Sequence, residues 1–369
     1  LFSLPAALIA SSPALFEHNP TDARAALATI RDASEVLDRL LEGGHSTIAG
    51  RLAGAFRNIG RDRIADDIVN ALRAAGYSVR EQDPFASRIN LVFPRREVSP
   101  YAGRIRLMWQ QMRGPVIERF PASPGGPSDT DAYLKHVQHV YVTDAYHSLS
   151  IEGYRVSPAL IERVRSGTWN PDANEQDREH RNALAARGYW LAFQAVQKSL
   201  HRVLGGENPG AVADEDHGTW YREMFAPSVT AGLLRPADLA GYRNAPVYIR
   251  RSMHVPPNSD AVRDAMPVFF EMLTQEAEPS VRVVLGHFIF VYVHPYVDGN
   301  GRIGRFLMNV MLAAGGYPWT VVPLERREAY MAALEEASVR QNIVPFADFL
   351  AQLVEEGLLG KSVAKVPKG

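Results

Sequence analysis

Twelve residues, His294 to Arg305 (HPYVDGNGRIGR), concentrate the chemistry of this 369-residue chain. His294 is a side chain whose ordinary pKa lies near neutrality, and two arginines close by disfavour its protonated form and leave it ready to accept a proton. Asp298 offers hard carboxylate oxygen of the kind Mg2+ takes when it also holds phosphates. Gly299, Asn300 and Gly301 lack bulk, so their backbone N–H groups can turn inward as an anion nest. The apolar run Ile303 to Leu312 reads as a helix, which puts that nest at a helix N-terminus, where the dipole favours phosphate. Arg302 and Arg305, three apart, are neighbours on the first turn and can clamp two phosphates.

Gly299, Gly301 and Gly304 also satisfy the GxGxxG spacing of dinucleotide-binding folds, and the branched run before them could pass for a strand. Glu325, about twenty residues on, stands where a ribose-binding acid would. Against this, His-Pro-Tyr-Val-Asp separates that run from the first glycine. Arg302 also occupies a position where backbone should approach pyrophosphate, and no βαβ pattern surrounds the unit.

The stretch resembles the signature of the Fic domain family, HxFx(D/E)GNGRxxR, departing only at Tyr296, where the family usually has Phe. The resemblance implies transfer of AMP from ATP to a Ser, Thr or Tyr hydroxyl of a target protein or of the chain itself. His294 would be the base, Asp298 the Mg2+ ligand, and Gly299, Asn300, Gly301, Arg302 and Arg305 the holders of phosphate. Upstream, Ser148 and Glu152 lie four apart on one helical face and Gly153 suits a helix end. SxxxEG there is similar to the family's inhibitory motif in its N-terminal placement, which implies that Glu152 pairs with Arg305 and turns the α-phosphate of bound ATP away from attack. The segment YMAALEEASVRQNIVPFADFL resembles the family's closing segment; Tyr330 would then line the adenine pocket, and Ser338 stands where Asn is common. Two other readings stay open: removal of AMP with Glu152 ordering a water, and a nucleotide-sensing interaction or DNA-binding regulator.

The elements that must position these residues are mostly helical. Periodicity predicts helices at Asp22–Ile30, Ala33–Leu41, Ile48–Phe56, Arg61–Ala75, Arg104–Met112, from Ser128 or Asp129 through the inhibitory motif, at Pro158–Ser166 and at Gln176–Leu204. Further helices are expected at Asp260–Glu276, at Ser280–Val293 with Pro279 in its first turn, after the signature, at Glu325–Ala337 and from Pro345. Pro295 pushes His294 out of helical geometry. YSVREQDPF reads as a short strand, Gly205–Gly218 as a loop, and Arg243–Val255 as a hairpin that resembles the family's target-pinning flap. His180, His201 and His287 read as surface or packed residues, and Asp214, Asp216 and His217 as charged loop rather than a metal site. PASPGGPSDT is the clearest linker. The expected architecture is mainly α: an accessory α-rich domain over 1–120, a linker at 121–130, a Fic-type core over 131–360 with its inhibitory helix near 145–153, and a frayed tail at 361–369.

Hydrophobic content of 46% and 22% charged residues fit a soluble globular protein. A net charge of -1 gives no global pull toward nucleic acid or an anionic membrane. Arg51, Arg57, Arg61 and Arg63 form a local basic cluster, but Asp62, Asp66 and Asp67 interleave with it, so it reads as a solvated face. The absence of cysteine fits a reducing cytoplasm, and the scarcity of lysine fits a GC-rich, bacterial genome. The opening LFSLPAALIASSPALF lacks preceding basic residues and is broken by Pro5 and Pro13, so it reads as a buried edge of the first domain rather than a signal peptide. Leu1 at the start implies that an initiator or a longer piece precedes it. No apolar run is long enough for a membrane span. The expected partners are ATP and a protein target, with a homo-oligomer compatible with the same reading.

Overall fold

The computed structural model describes residues 2–85, 100–126, 129–169, 180–361 and 364–366. It divides into two compact units, Leu1–Glu97 with Phe225–Asn244, and Val98–Met224 with Ala245–Gly369. The segment read as a linker, 121–130, lies within the second of these units. The helix Pro100–Arg119 belongs to the second unit: Trp109 Nε1 donates to the buried Glu276 carboxylate at 3.0 Å, and Arg113 closes on the same group.

The first unit is built from α1 (Leu4–Ala10), α2 (Pro13–His18), α3 (Pro20–Ala28), α4 (Ser34–Glu42), α5 (Ser46–Asn58) and α6 (Asp62–Ala74). The opening stretch forms two short helices, each with proline in its first turn, and buries Leu8 and Phe16. The segment expected as a strand after Gly76 has no neighbouring strand among the described residues and instead lies across α5. Arg80 and Gln82 press their carbonyls onto Gly50 and Gly54, where any Cβ would clash, and Gln82 N–H donates to the Gly50 carbonyl at 3.1 Å. The basic cluster is engaged within the chain: Arg57 pairs with Glu81, Asp66 and Asp62, and Arg51 donates to the Ser11 carbonyl.

The second unit holds α7 (Pro100–Arg119), α8 (Thr130–Ile151), α9 (Pro158–Arg165), α10 (His180–Leu204), α11 (Pro209–Thr230) up to Met224, α12 (Ser259–Gln275), α13 (Pro279–Val293), α14 (Asn300–Ala314), α15 (Arg327–Arg340) and α16 (Val344–Leu358). Asp129 caps α8 by accepting from Ala132 N–H; Ser128, the other expected cap, lies outside the described residues, as do 176–179 of the predicted long helix. The expected loop at 205–218 is mostly helix. Asn208 Oδ1 accepts from Gly210 and Ala211 N–H and Pro209 sits at the first position, a start signal strong enough to carry the glycine- and acid-rich run into α11. The expected hairpin is absent as well. Residues 245–258 make no strand, and only a turn at Ile249–Ser252 survives. Pro246, Pro256 and Pro257 remove ladder donors, and the segment is tied to helices instead: Ser252 and Met253 N–H donate to Glu335, and the His254 ring bonds the Tyr292 carbonyl.

Helix α13 is apolar on every side and is buried nearly throughout, as a central helix must be. Helix α14 packs against it, and Gly304 marks the close approach: a Cβ there would lie 2.9 Å from Val291 Cγ1 and 3.0 Å from His287 Nδ1. This pair carries the signature loop at its joined ends.

Candidate active site

Helix α13 ends on His294, which takes a left-handed conformation at φ 53° while its N–H still bonds the Phe290 carbonyl. A non-glycine residue there is strained, and the following Pro295 explains why the right-handed helix cannot continue. The ring Nδ1 lies 3.1 Å from the Val291 carbonyl. An Nδ1–H donating to that oxygen leaves the lone pair on Nε2. Gly299, at φ 81°, caps α14 in the left-handed region that glycine tolerates. Asn300 clamps the loop between them, accepting from Tyr296 N–H and donating to the Tyr296 carbonyl, both at 2.9 Å. The Tyr296 ring, 1% exposed, stacks on Tyr221 with centroids 3.9 Å apart. The Asn300 side chain thus bonds the Tyr296 backbone at both of its ends.

Both arginines of the signature are buried, Arg302 at 1% and Arg305 at 3% exposure. Arg305 Nε donates to Ser148 Oγ at 2.8 Å, and its Nη2 donates to the Ser148 carbonyl at 3.0 Å and to Glu152 Oε1 at 2.8 Å. Burial works against the Arg305 charge, but Glu152 beside it raises the pKa. The Glu152 carboxylate lies over Gly301, in space a Cβ would need. Its place is set by the end of α8, where Gly153 turns at φ 87° and Arg327 Nε donates to the Ile151 carbonyl at 2.8 Å.

Beneath this contact is a carboxylate that motif reading passed over. Asp144, buried on α8 one turn before Ser148, accepts from Tyr189 of α10 at 2.6 Å. Burial pushes its pKa up to about 6, opposed by Tyr189, Trp319 and Arg305. The signal was present: Asp144, Ser148 and Glu152 recur every four residues along one face, a polar stripe on a buried helix.

Asp298 has a side chain 62% exposed; its Oδ1 accepts from Gly299 N–H at 2.6 Å and its Oδ2 lies 3.2 Å from Arg302. Among the described residues no cluster of three or more metal-ligating side chains occurs. A single exposed carboxylate beside a helix N-terminus fits Mg2+, which takes few protein ligands when substrate phosphates complete its shell. Tyr330 is buried, its hydroxyl 2.6 Å from His287 Nε2, with Phe346 and Phe349 against its ring. It belongs to the wall behind Arg305 and not to an open surface. His287 is packed, and burial lowers its pKa to about 4. His217 turns its Nδ1 toward backbone carbonyls of its own helix.

A model of the Fic/DOC family matches residues 199–312, which contain the whole of this loop and both arginines. The chain carries a Fic domain. Protein adenylyltransferase Fic of Drosophila grimshawi is 30% identical over 232 residues, 62% of this chain and 42% of that protein. The Drosophila willistoni protein of the same name is 29% identical, with 62% and 41% covered. This chain thus spans about two fifths of the length of the curated relatives it matches. Among solved structures, residues 134–508 of Fic-1 from C. elegans align over 92% of this chain and 96% of that one, at 18% identity and a TM-score of 0.50. That likeness concerns the fold of the Fic core and its helical surroundings. Among the described residues no helix is long and apolar enough to cross a membrane.

Proposed function

We propose that the chain is a protein adenylyltransferase held in an inhibited state by Glu152. The observation that carries this is the three-bond hold of Ser148 and Glu152 on Arg305, beside a histidine presented by a strained helix end. Curated relatives bearing the name protein adenylyltransferase support the same reaction.

In this reading the triphosphate of ATP lies along the N-terminus of α14. Backbone N–H groups of Gly299 and Gly301 face its charge, and Arg302 and Arg305 hold the departing pyrophosphate. Nε2 of His294 takes the proton of a Ser, Thr or Tyr hydroxyl. That oxygen bonds the α-phosphorus as the bond to the β-phosphate oxygen breaks, giving AMP-protein and pyrophosphate. Asp298 would hold Mg2+, which supplies charge neutralisation between phosphates when bound. Asn300 acts through the loop it clamps, and Tyr330 through the wall behind Arg305. Glu152 opposes the reaction by filling the place of the terminal phosphate at Arg305, which leaves bound ATP misaligned.

ATP labelled at the α- or the γ-phosphate tests the reaction class. AMP transfer puts α-label and no γ-label on protein, whereas γ-label would mean phosphoryl transfer and would refute the assignment.

A further inference from the structure

The turn that ends α8 reaches the phosphate-binding arginines twice. Glu152 closes it on one side of Gly153 and holds Arg305; Tyr154 follows on the other side, its N–H returned to the Leu149 carbonyl at 3.1 Å. The Tyr154 ring lies under the Arg302 guanidinium, 5.2 Å from carbon to centroid, and Arg181 of α10 approaches the same ring at 5.7 Å. The segment is fixed to α10 by Arg155 N–H donating to Asn182 Oδ1 at 3.1 Å.

We infer that Tyr154 is a positioning residue for Arg302: its ring holds that guanidinium in the inhibited arrangement and stands where phosphate must come to meet it. A guanidinium over an aromatic face is held by the ring quadrupole, so the hold needs the ring and not the hydroxyl. Because Gly153 alone separates the two side chains, the turn carries Glu152 and Tyr154 together, and release of one loosens the other. ATP aligned for transfer then displaces a two-point contact, Glu152 from Arg305 and Tyr154 from Arg302. The inference rests on the proposed use of both arginines for ATP phosphates.

Its test is a double-mutant cycle on ATP affinity, measured by calorimetry on the full chain, with Tyr154→Ala, Tyr154→Phe, Glu152→Ala and the pairwise combinations. The half-buried Tyr154 leaves folding intact, which Tm checks. Tyr154→Ala should tighten ATP by about three- to tenfold and Tyr154→Phe should match the wild type. With Glu152 already removed, the alanine effect should shrink below about twofold. No tightening, equal tightening by Phe and Ala, or an alanine effect of the same size with and without Glu152 each overturns the inference. Should protein labelling be absent in every variant while this binding pattern holds, the adenylyltransferase reading fails and the role of Tyr154 stands.

Discussion

The Glu152 carboxylate and the Arg305 guanidinium meet at 2.8 Å directly over Gly301, on the first turn of α14. One carboxylate thereby occupies two features an incoming phosphate would use, the fixed positive charge and the space over the helix N-terminus. A Cβ on Gly301 would displace the Glu152 carboxylate.

Ser148 accepts from Arg305 Nε within the protein. Ser148→Ala leaves a buried donor without its acceptor, which should cost about 1–3 kcal/mol of stability. The same change loosens Arg305, so basal labelling of protein by ATP should rise, though less than in Glu152→Gly. Chemical denaturation and label counting read the two effects separately.

Asn300→Ala removes both contacts to the Tyr296 backbone in a buried loop. The expected loss is about 1–3 kcal/mol, read from the urea midpoint. Because the loop also sets His294, transfer in the Glu152→Gly background should fall by more than tenfold. Unchanged stability would contradict the clamp.

Gly304→Ala sets a methyl group against Val291 and His287 where α14 crosses α13. Overpacking at such a crossing costs about 1–3 kcal/mol. The shift of α14 should lower transfer as well, whereas a variant as stable as the wild type would refute the close approach.

Asp144 gives a pH signature. Its folded pKa of about 6 lies above the ordinary 3.8, so between those values the folded state binds more protons than the unfolded one. Its contribution to stability is therefore greatest below pH about 4 and is lost as pH rises through about 6, by on the order of 2–3 kcal/mol in all. In Asp144→Asn that slope should vanish. Comparing the denaturant midpoints of the two proteins across that pH range isolates it from other carboxylates, and parallel curves would contradict the burial of a titrating Asp144.

The helices that carry the site were legible because their signals are local. Pro279 opens α13 and Pro295 closes it on His294, while Ser148, Glu152 and Gly153 have helix-end spacing. What stayed hidden depends on distant partners. The hairpin read at 243–255 has strand composition but finds Glu335 and Tyr292 as hydrogen-bond partners rather than a second strand. The helix start at Asn208 and Pro209 was obscured by the glycines and acids around it. The paired commitment of Asn300 to Tyr296, the burial of Tyr330 and the Tyr189 contact of Asp144 are tertiary facts that no spacing rule reaches.

The most direct measurement is label transfer from α-labelled ATP with Mg2+ into protein, comparing wild type, Glu152→Gly and His294→Ala placed in the Glu152→Gly background. Weak labelling of the wild type is expected, at least tenfold more with Glu152→Gly, and none once His294 is gone. Labelling that survives His294→Ala, or that Glu152→Gly fails to raise, would contradict inhibited adenylyl transfer at this site.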